Sequence, residues 1–519
     1  MAMDTDMVRA WNTIPRRPEA ARCLCWSVLG VLAVGALALP GVAAAQSLRV
    51  TPTLTTELTW TDNVDAEPNG RDDWILEVTP GISVSRTAGR MTGGLSARLR
   101  NLMYFNESDE NTSFVSLNGS GSFEAIEDLL FIDASAAITR NNLSTFSGRG
   151  PGDPLSVDSA DETRTWSITP RLESDLDFGE AGRGSARYSS RGVSSNSDGL
   201  GDQQVDTWDL SLSDPGGVRF FGWGIDYSRT DLDGGDSSTA PQTEETLRGT
   251  LFANISSQFR LRGIVGRESN DYEDGVENSS DIVGGGIDWY PTDRTAILAT
   301  AEDRFFGTGY DFSFNHRMSR SVWFFNASRD TSSFARDLGD ALVFDQGCFE
   351  LVSDPAYRPD ITDPLERQRL LLNCLSVTAL RTNSAYVERS IGGGFSLLGV
   401  RNTLSFSVTR SDSSSLSEST ALLPDDDFAT TDEVRTTSAT VSWSHQLTGT
   451  SSLVASITRS RSEAADDPDL DMRSLTGTIG VTRTLGANTQ GALRYRYQNA
   501  DGSDNYTENS ITATLGMQF

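Results

Sequence analysis

The sequence contains no lysine, so its 43 basic residues are all arginines, and they oppose 72 acidic residues for a net charge of −29. This acidic balance excludes nucleic acid as a partner, because such binding requires a basic surface. Hydrophobic residues make up 37% of the chain and its mean hydropathy is −0.34, values that exclude a bundle of membrane helices. Glycine is abundant instead, with 47 residues, which is typical of many strands joined by turns.

Only one long apolar run is present, at residues 23–39, and a small-residue site with Ala43 and Ala45 follows it. Arg16, Arg17 and Arg22 lie shortly before the run. This order is typical of a signal peptide, so residues 1–45 are expected to be removed by cleavage after Ala45. A true membrane anchor is the alternative, although about 17 apolar residues are few for spanning a bilayer.

Cysteine occurs four times, and two of the four lie in the predicted leader. The other two, Cys348 and Cys374, share the longest predicted loop, residues 335–383. Outside the cytoplasm such a pair favours a disulfide, which would close about 27 residues and contribute about 3 kcal/mol in the loop-entropy model. Two free thiols or a metal pair are the alternatives, and the absence of a nearby histidine disfavours the metal.

Alternation of apolar and polar residues dominates the chain after residue 45, and it is clearest at the C-terminus. Leu515, Met517 and Phe519 share one parity with Ile511 and Ala513, while polar residues and glycine share the other. A soluble sheet with one wet face would give the same pattern. The terminal aromatic residue, which resembles the C-terminal signal of outer-membrane barrels, and the recurrence of the pattern along the chain favour a lipid-facing strand.

Short and long connections alternate between these segments. Tight turns such as residues 87–90, 290–293 and 447–450 separate pairs of strands, and longer acidic loops such as 63–72 and 412–430 join one pair to the next. Outer-membrane barrels have this asymmetry, with short periplasmic turns and long external loops. We therefore predict an all-β fold: a single antiparallel transmembrane β-barrel over residues 46–519, with roughly 22 strands (18–24) and both termini periplasmic.

A first strand that begins close to Gln46 leaves no room for an N-terminal plug domain, which argues against a plugged importer. We expect an outer-membrane location, reached through export by the signal peptide. Outer-membrane lipid and the barrel-assembly machinery are the expected partners.

Candidate catalytic and metal-binding residues are few. His316 and His445 are the only histidines and lie far apart in sequence, so a barrel hydrolase is disfavoured and we predict no enzyme and no cofactor. The acidic runs at 425–427 and 466–467 match no calcium-loop spacing, which favours solvated loop charge. The glycine triplets at 284–286 and 392–394 precede no helix, so they indicate kinks or close approaches within strands rather than phosphate loops.

Two stretches carry a resemblance to a known family. Residues 59–64 (TWTDNV), followed by 78–82 (VTPGI), and the later FGTGY at 306–310 with NHR at 315–317 and Trp323 resemble the PEP-CTERM system-associated outer-membrane β-barrel proteins. Membership would imply association with an exosortase sorting system and with exopolysaccharide production, and it would supply no catalytic site. The C-terminus here is a strand and carries no sorting signal of its own.

Three functions are compatible with these observations. The leading hypothesis is an outer-membrane pore or export component, with exopolysaccharide or surface-protein traffic as its task. The second is a structural or surface-binding barrel with a blocked lumen, whose acidic loops would meet cations, polysaccharide or neighbouring cells. The third, a barrel hydrolase, has the least support. The sequence leaves the oligomeric state and the transported molecule open.

Overall fold

The fold was analysed in a computed structural model, which describes residues 48–141, 144–146, 161–172, 176–177, 182–195, 202–214, 220–234, 241–272, 277–341, 380–416, 426–467, 470–502 and 505–519. The predicted cleavage residues Ala43 and Ala45 and the predicted disulfide partners Cys348 and Cys374 lie outside these ranges. Among the described residues, no helix has the length and apolar character needed to cross a membrane.

Almost every described segment is a β-strand. The first half of the sheet comprises β1 (Leu48–Thr61), β2 (Asp73–Ala88), β3 (Met91–Tyr104), β4 (Thr112–Ile126), β5 (Leu130–Asn141), β6 (Asp161–Leu172), β7 (Leu176–Asp177), β8 (Arg183–Ser195), β9 (Gln203–Asp214), β10 (Phe221–Asp233), β11 (Gln242–Ser256) and β12 (Phe259–Asn270). The second half comprises β13 (Asn278–Thr292), β14 (Thr295–Arg304), β15 (Gly307–Arg317), β16 (Ser321–Ser333), β17 (Ala385–Leu398), β18 (Asn402–Ser415), β19 (Glu433–Thr448), β20 (Ser451–Ala464), β21 (Met472–Gly486), β22 (Thr489–Asp501) and β23 (Tyr506–Gln518). A 3₁₀ turn at Ser108–Glu110 and helix α1 (Phe334–Ala341) are the described helical segments.

The sheet closes on itself as an antiparallel barrel. β1 pairs with β23, from Thr53 opposite Gln518 to Thr61 opposite Ser510. β6 and β7 both pair with β8 and act as two parts of one barrel strand, so the closed sheet has 22 strands. Closure satisfies the backbone groups that an open edge would leave unpaired in lipid. The prediction of a single antiparallel barrel of about 22 strands is confirmed. The first residues of β1 and the last residues of β23 both lie at the short-turn end.

Apolar side chains cover the outside of the barrel, and polar side chains face the lumen. Leu251 and Val265 on the outside are 70% and 64% exposed, whereas Thr59 and Thr512 on the inside are nearly covered and bond to each other at 3.0 Å. Leu48, Val50 and Leu58 on β1 share one parity and are likewise exposed on the outside. An outward apolar surface on a closed barrel is that of a membrane-spanning protein.

Glycines in two strands permit a close approach to the neighbouring strand, as the sequence predicts. A Cβ added at Gly394 would lie 2.2 Å from the carbonyl oxygen of Phe406, and one added at Gly286 would lie 2.6 Å from that of Ala299. Any larger residue at either position would collide with backbone, so these triplets mark points where neighbouring strands approach closely.

Among the fully described connections, the alternation of short and long breaks at the turn between β14 and β15. Only Phe305 and Phe306 join β14 to β15 at the long-loop end. The backbone N–H of Phe305 donates to the Glu268 carboxylate at 2.6 Å, which draws this turn in toward the mouth of the barrel. This short turn is thereby tied to a buried carboxylate of the lumen.

Candidate functional site: the lumen wall and the bridged mouth

One wall of the lumen is lined by hydroxyl groups. The inward residues of β18–β21 are serine and threonine with Gln446 and a few small or apolar residues, and no charged side chain occurs among them along these four fully described strands. Neighbouring hydroxyls bond to one another across the strands, as in Thr440–Thr458 at 3.2 Å and Ser456–Thr478 at 2.7 Å. We call this surface the hydroxyl wall. It is polar and uncharged, and much of its hydrogen-bonding capacity is satisfied internally.

Other parts of the lumen are lined by ion pairs between inward residues. Arg100 donates to both oxygens of Glu77 at 2.6 and 2.7 Å, and Arg496 donates to Glu508 at 2.6 Å. Further pairs are Arg171–Asp133, Arg248–Glu302 and Arg262–Asp288. Arg494 and Arg496 face the lumen and alternate with the outward Tyr495 and Tyr497. Many of the charges in the lumen are thus paired, whereas the Glu388 carboxylate on β17 accepts from Ser411 of the hydroxyl wall at 2.6 Å.

The mouth at the long-loop end is spanned by α1 and residues 380–385, which together we call the bridge. The Gln203 side chain on β9 donates to the Thr382 carbonyl at 2.6 Å and to Asn383 Oδ1 at 2.9 Å. Gln242 on β11 accepts from the Ala385 backbone N–H at 3.1 Å. Strands β12–β16 separate β11 from β17 around the barrel, so these bonds connect walls that are not neighbours in the sheet.

Apolar side chains pack where the bridge meets the walls. Phe334 and Ala335 of α1 are fully covered. Their cluster contains residues from β8, β9, β10, the loop after β12 and β17: Val193, Val205, Leu232, Tyr272, Phe334, Ala335 and Ala385. Asp337 of α1 accepts from Ser332 Oγ at 2.6 Å and from the Tyr386 hydroxyl, which fixes the helix between β16 and β17. The bridge is therefore a packed part of the fold.

Two buried carboxylates, Asp426 and Asp427, fasten three loops at the same end. Asp427 accepts from Ser144 Oγ at 2.8 Å, from the Thr145 N–H at 3.3 Å and from the Arg381 N–H at 2.8 Å. Asp426 accepts from the Asn383 N–H at 3.0 Å and from the Phe428 N–H at 2.9 Å. We call this pair the carboxylate clamp. It ties residues 144–146 and 426–428 to the bridge.

The prediction of solvated charge at 425–427 is wrong for Asp426 and Asp427, each only 6% exposed. Burial raises the pKa of Asp427 to about 6, and the hydrogen bonds from Arg381, Ser144 and Thr145 oppose that rise. Burial also raises the pKa of Asp426. Asp466, in the other acidic run, is exposed as expected.

A buried arginine organises the lumen between β11 and β16. Arg304 is in contact with three carboxylates: Glu268, Glu244 at 3.0 Å and Asp330 at 3.2 Å. Its side chain is 4% exposed and that of Glu268 is fully covered. Tyr272 donates to Glu244 at 2.6 Å and so joins this network to the apolar cluster of the bridge. The network fills this side of the mouth with one arginine held among three carboxylates.

The two histidines lie on the outer face at the short-turn end, four strands apart. His316 Nδ1 is 2.8 Å from Thr295 Oγ1, and His445 Nδ1 is 2.7 Å from Asn402 Oδ1. His445 stacks on Trp443 with ring centroids 5.8 Å apart, so it belongs to the outward aromatic band. Across the ranges that the structure describes, no three histidine, cysteine or acidic side chains converge as metal ligands.

The C-terminal residues lie at the barrel seam. Leu515 faces outward, and Phe519 is 69% exposed. The Phe519 N–H donates to the Pro52 carbonyl at 2.9 Å, so the last residue pairs with the first strand. The bridge and the clamp escape sequence reasoning, because their partners lie far apart along the chain. The one local signal is Phe428, an aromatic residue directly after the acidic run.

The chain matches no family model and no curated protein. Among solved structures, the FrpB iron transporter of Neisseria meningitidis is similar at 11% identity and a TM-score of 0.49, over 92% of this chain and 81% of that chain. A mutant of the ferric enterobactin receptor PfeA of Pseudomonas aeruginosa is similar at 11% identity and a TM-score of 0.46, over 91% of this chain and 80% of that chain. The siderophore receptor PirA of Acinetobacter baumannii is similar at 8% identity and a TM-score of 0.47, also over 91% of this chain and 80% of that chain. At these identities and TM-scores the similarity assigns no cargo to this chain.

Proposed function

We propose that this outer-membrane-type β-barrel is a gated pore or export component, and that the bridged mouth is its closed state. The observation that carries the proposal is the bridge: it is attached to the distant wall by side-chain hydrogen bonds and one small apolar cluster, and not by strand pairing. Such contacts break at far lower cost than a strand ladder. In the proposed orientation the short turns lie in the periplasm and the bridge faces the outside.

The cargo that fits the lumen is an uncharged, hydroxyl-rich polymer. The hydroxyl wall exchanges hydrogen bonds with such a polymer without fixing a charge, and its internal pairing keeps each contact weak. The resemblance of residues 59–64 and 306–310 to PEP-CTERM-associated barrels supports exopolysaccharide traffic beside an exosortase system. The proposed pore has no catalytic role.

Planar-bilayer conductance of the refolded protein tests the gate. The paired substitutions Gln203→Ala and Gln242→Ala remove the bonds from the far wall to the bridge and should raise the open probability severalfold. Gln204→Ala is the matched control. Gln204 is the next residue after Gln203, but its side chain donates to Asp206 at 3.1 Å on the outer face and does not contact the bridge. Absence of conductance in the wild type, in the double variant and in a variant with residues 335–383 replaced by a short linker would refute the pore.

That refutation would favour the second candidate, a structural barrel with a blocked lumen, which the buried Arg304 network already suits. The cargo class is tested by liposome swelling with the linker variant. Neutral maltooligosaccharides should enter faster than oligogalacturonates of equal length. Equal rates would contradict the proposed cargo class, which rests on the hydroxyl wall, and would not bear on the proposed gate.

A further inference from the structure

Strands β3–β6 form a cavity in the lumen wall at the short-turn end of the barrel. Its volume is about 390 Å³ and it opens to the lumen. Two neighbouring rows of inward residues run across these strands and line it. One row contains Ser120, Ser135 and Ser167, and the other contains Ser122, Asp133 and Thr169. We call this cavity the serine cavity.

The cavity exists because the side chains of both rows are small. Ser120 lies opposite Gly94 on β3, which has no side chain, and opposite Ser135 on β5. The next inward pair toward the short turns is larger: Phe131 lies opposite Arg171, whose guanidinium carbon is 4.7 Å from the centre of the Phe131 ring. The volume is within the range of roughly 300–1,000 Å³ that is typical of pockets for small ligands.

The hydroxyl groups of the first row are available to a ligand. Ser120 and Ser135 are exposed, and neither they nor Ser167 have a side-chain hydrogen-bond partner among the described residues. The hydroxyl wall differs, because its hydroxyls bond one another, as Ser456 and Thr478 do at 2.7 Å. An unpaired hydroxyl offers one donor and two acceptor positions. The serine row therefore has the donors and acceptors that the hydroxyl groups of a sugar require.

Asp133 is the charged residue among those that line the cavity. Its side chain is 38% exposed and accepts from Arg171 Nε at 2.7 Å and from the Ser122 hydroxyl. Arg187 on β8 also interacts electrostatically with Asp133, and it lies opposite Asp209 on β9. These two arginines and two aspartates balance in charge. The carboxylate keeps lone pairs that accept from further hydroxyl groups, so the site favours an uncharged, hydroxyl-rich ligand.

We propose that the serine cavity binds sugar residues of a neutral glycan and is the site where an exported polymer first enters the lumen. The cavity lies at the opposite end of the barrel from the bridge. In the orientation proposed above this is the periplasmic end, from which an exported chain arrives. The entry role rests on the proposed export function, whereas sugar binding itself does not require an open pore.

Isothermal titration calorimetry of the purified full chain, in a detergent without a sugar headgroup, measures the binding of maltohexaose. We expect saturable binding by the wild type. The double variant Ser120→Ala with Ser135→Ala should bind about tenfold more weakly, because two hydrogen bonds to the sugar are lost. The control is Ser444→Ala with Ser452→Ala, which removes two hydroxyls of the hydroxyl wall at the same end but outside the cavity. It should keep the affinity of the wild type.

Heat-modifiable migration on gels establishes that each variant is folded. Absence of binding by the wild type would overturn the proposal, as would wild-type affinity in the folded Ser120/Ser135 variant. Equal weakening in the two double variants would spread the binding over the whole lumen and would also overturn it.

The wild type alone provides a second test, which stands even if a variant does not fold. A hexamer of galacturonate should bind no more tightly than maltohexaose. Tighter binding would indicate an anion site at Arg171 and Arg187 and would overturn the proposal. Absence of conductance in planar bilayers would instead refute the pore and leave the sugar site standing.

Discussion

At the scale of a single residue, Arg304 is the cation in contact with three carboxylates of the mouth, Glu268, Glu244 and Asp330. Replacing it with alanine leaves Glu268 and Glu244 buried without their cation, which should destabilise the barrel by about 3–5 kcal/mol. Urea unfolding in lipid vesicles, followed by tryptophan fluorescence, measures this loss. Arg90→Ala is the control, because Arg90 and Glu127 pair at 2.9 Å with both side chains more than half exposed, so its effect should stay within about 1 kcal/mol. Similar losses for both variants would contradict this account.

Asp427 makes the loop cluster sensitive to pH. Its pKa of about 6 lies above that of an unfolded aspartate, so its contribution is fully present below about pH 4 and is lost as the pH rises through about 6. The difference between the folded and unfolded pKa of Asp427 corresponds to roughly 3 kcal/mol in the free energy of unfolding. Hydrogen exchange at the Thr145 and Arg381 amides, corrected for intrinsic rates, should show stronger protection at pH 5 than at pH 8.

Asp427→Asn keeps an oxygen for the backbone donors and an amide for Ser144, so the clamp should form and its pH dependence should flatten. Burial also raises the pKa of Asp426, so a slope in the same direction should remain in this variant. A variant with the full wild-type slope would show that Asp427 is not the titrating group. The sequence could not reveal this behaviour, because Thr145 lies 282 residues from Asp427 along the chain.

At the scale of elements, the strands could be predicted and the packed loops could not. A strand such as β19 alternates Val441 and Trp443 with Ser442 and Ser444, because lipid and lumen impose opposite chemistry on its two faces. The bridge has no such constraint, since its residues meet walls that are distant in sequence. The glycine triplets could be predicted in part. The sequence indicates that another strand approaches closely there, but only the structure shows which residue approaches.

Gly394→Ala should weaken β17, because the added methyl would meet the Phe406 carbonyl and the Phe324 ring. We expect a loss of about 1–3 kcal/mol and a lower yield of folded barrel. Gly477→Ala on β21 is the matched control, since nothing lies within 4 Å of the position that its added Cβ would occupy and alanine favours the strand over glycine. Equal yields from the two variants would show that β17 tolerates the crowding.

At the scale of the whole molecule, the sequence predicts a closed barrel because lipid leaves no tolerance for an unpaired edge. An even strand number then brings the first and last strands together, as the pairing of Leu58 with Ala513 shows. The obstructed mouth does not follow from that requirement. Closure is imposed by the membrane, whereas the bridge depends on particular side chains such as Gln203 and Gln242.

Phe519, at the seam between β1 and β23, is expected to matter for assembly of the barrel in cells and not for the stability of the folded barrel. Its ring is largely exposed and its N–H bonds the Pro52 carbonyl, a contact that almost any residue supplies. Phe519→Ala should therefore leave the free energy of unfolding of the refolded barrel in urea unchanged within about 0.5 kcal/mol. In cells the heat-modifiable, membrane-inserted fraction should fall severalfold, because the terminal aromatic residue acts as the predicted recognition signal for assembly.

Gln518→Ala is the control for this pair of measurements, because it alters the neighbouring side chain of opposite parity and keeps the terminal ring. Insertion of this variant should stay intact. A loss of stability in vitro equal to the loss of insertion would instead assign Phe519 a packing role at the seam between β1 and β23. An unchanged inserted fraction in cells would show that assembly of this barrel does not depend on the terminal ring.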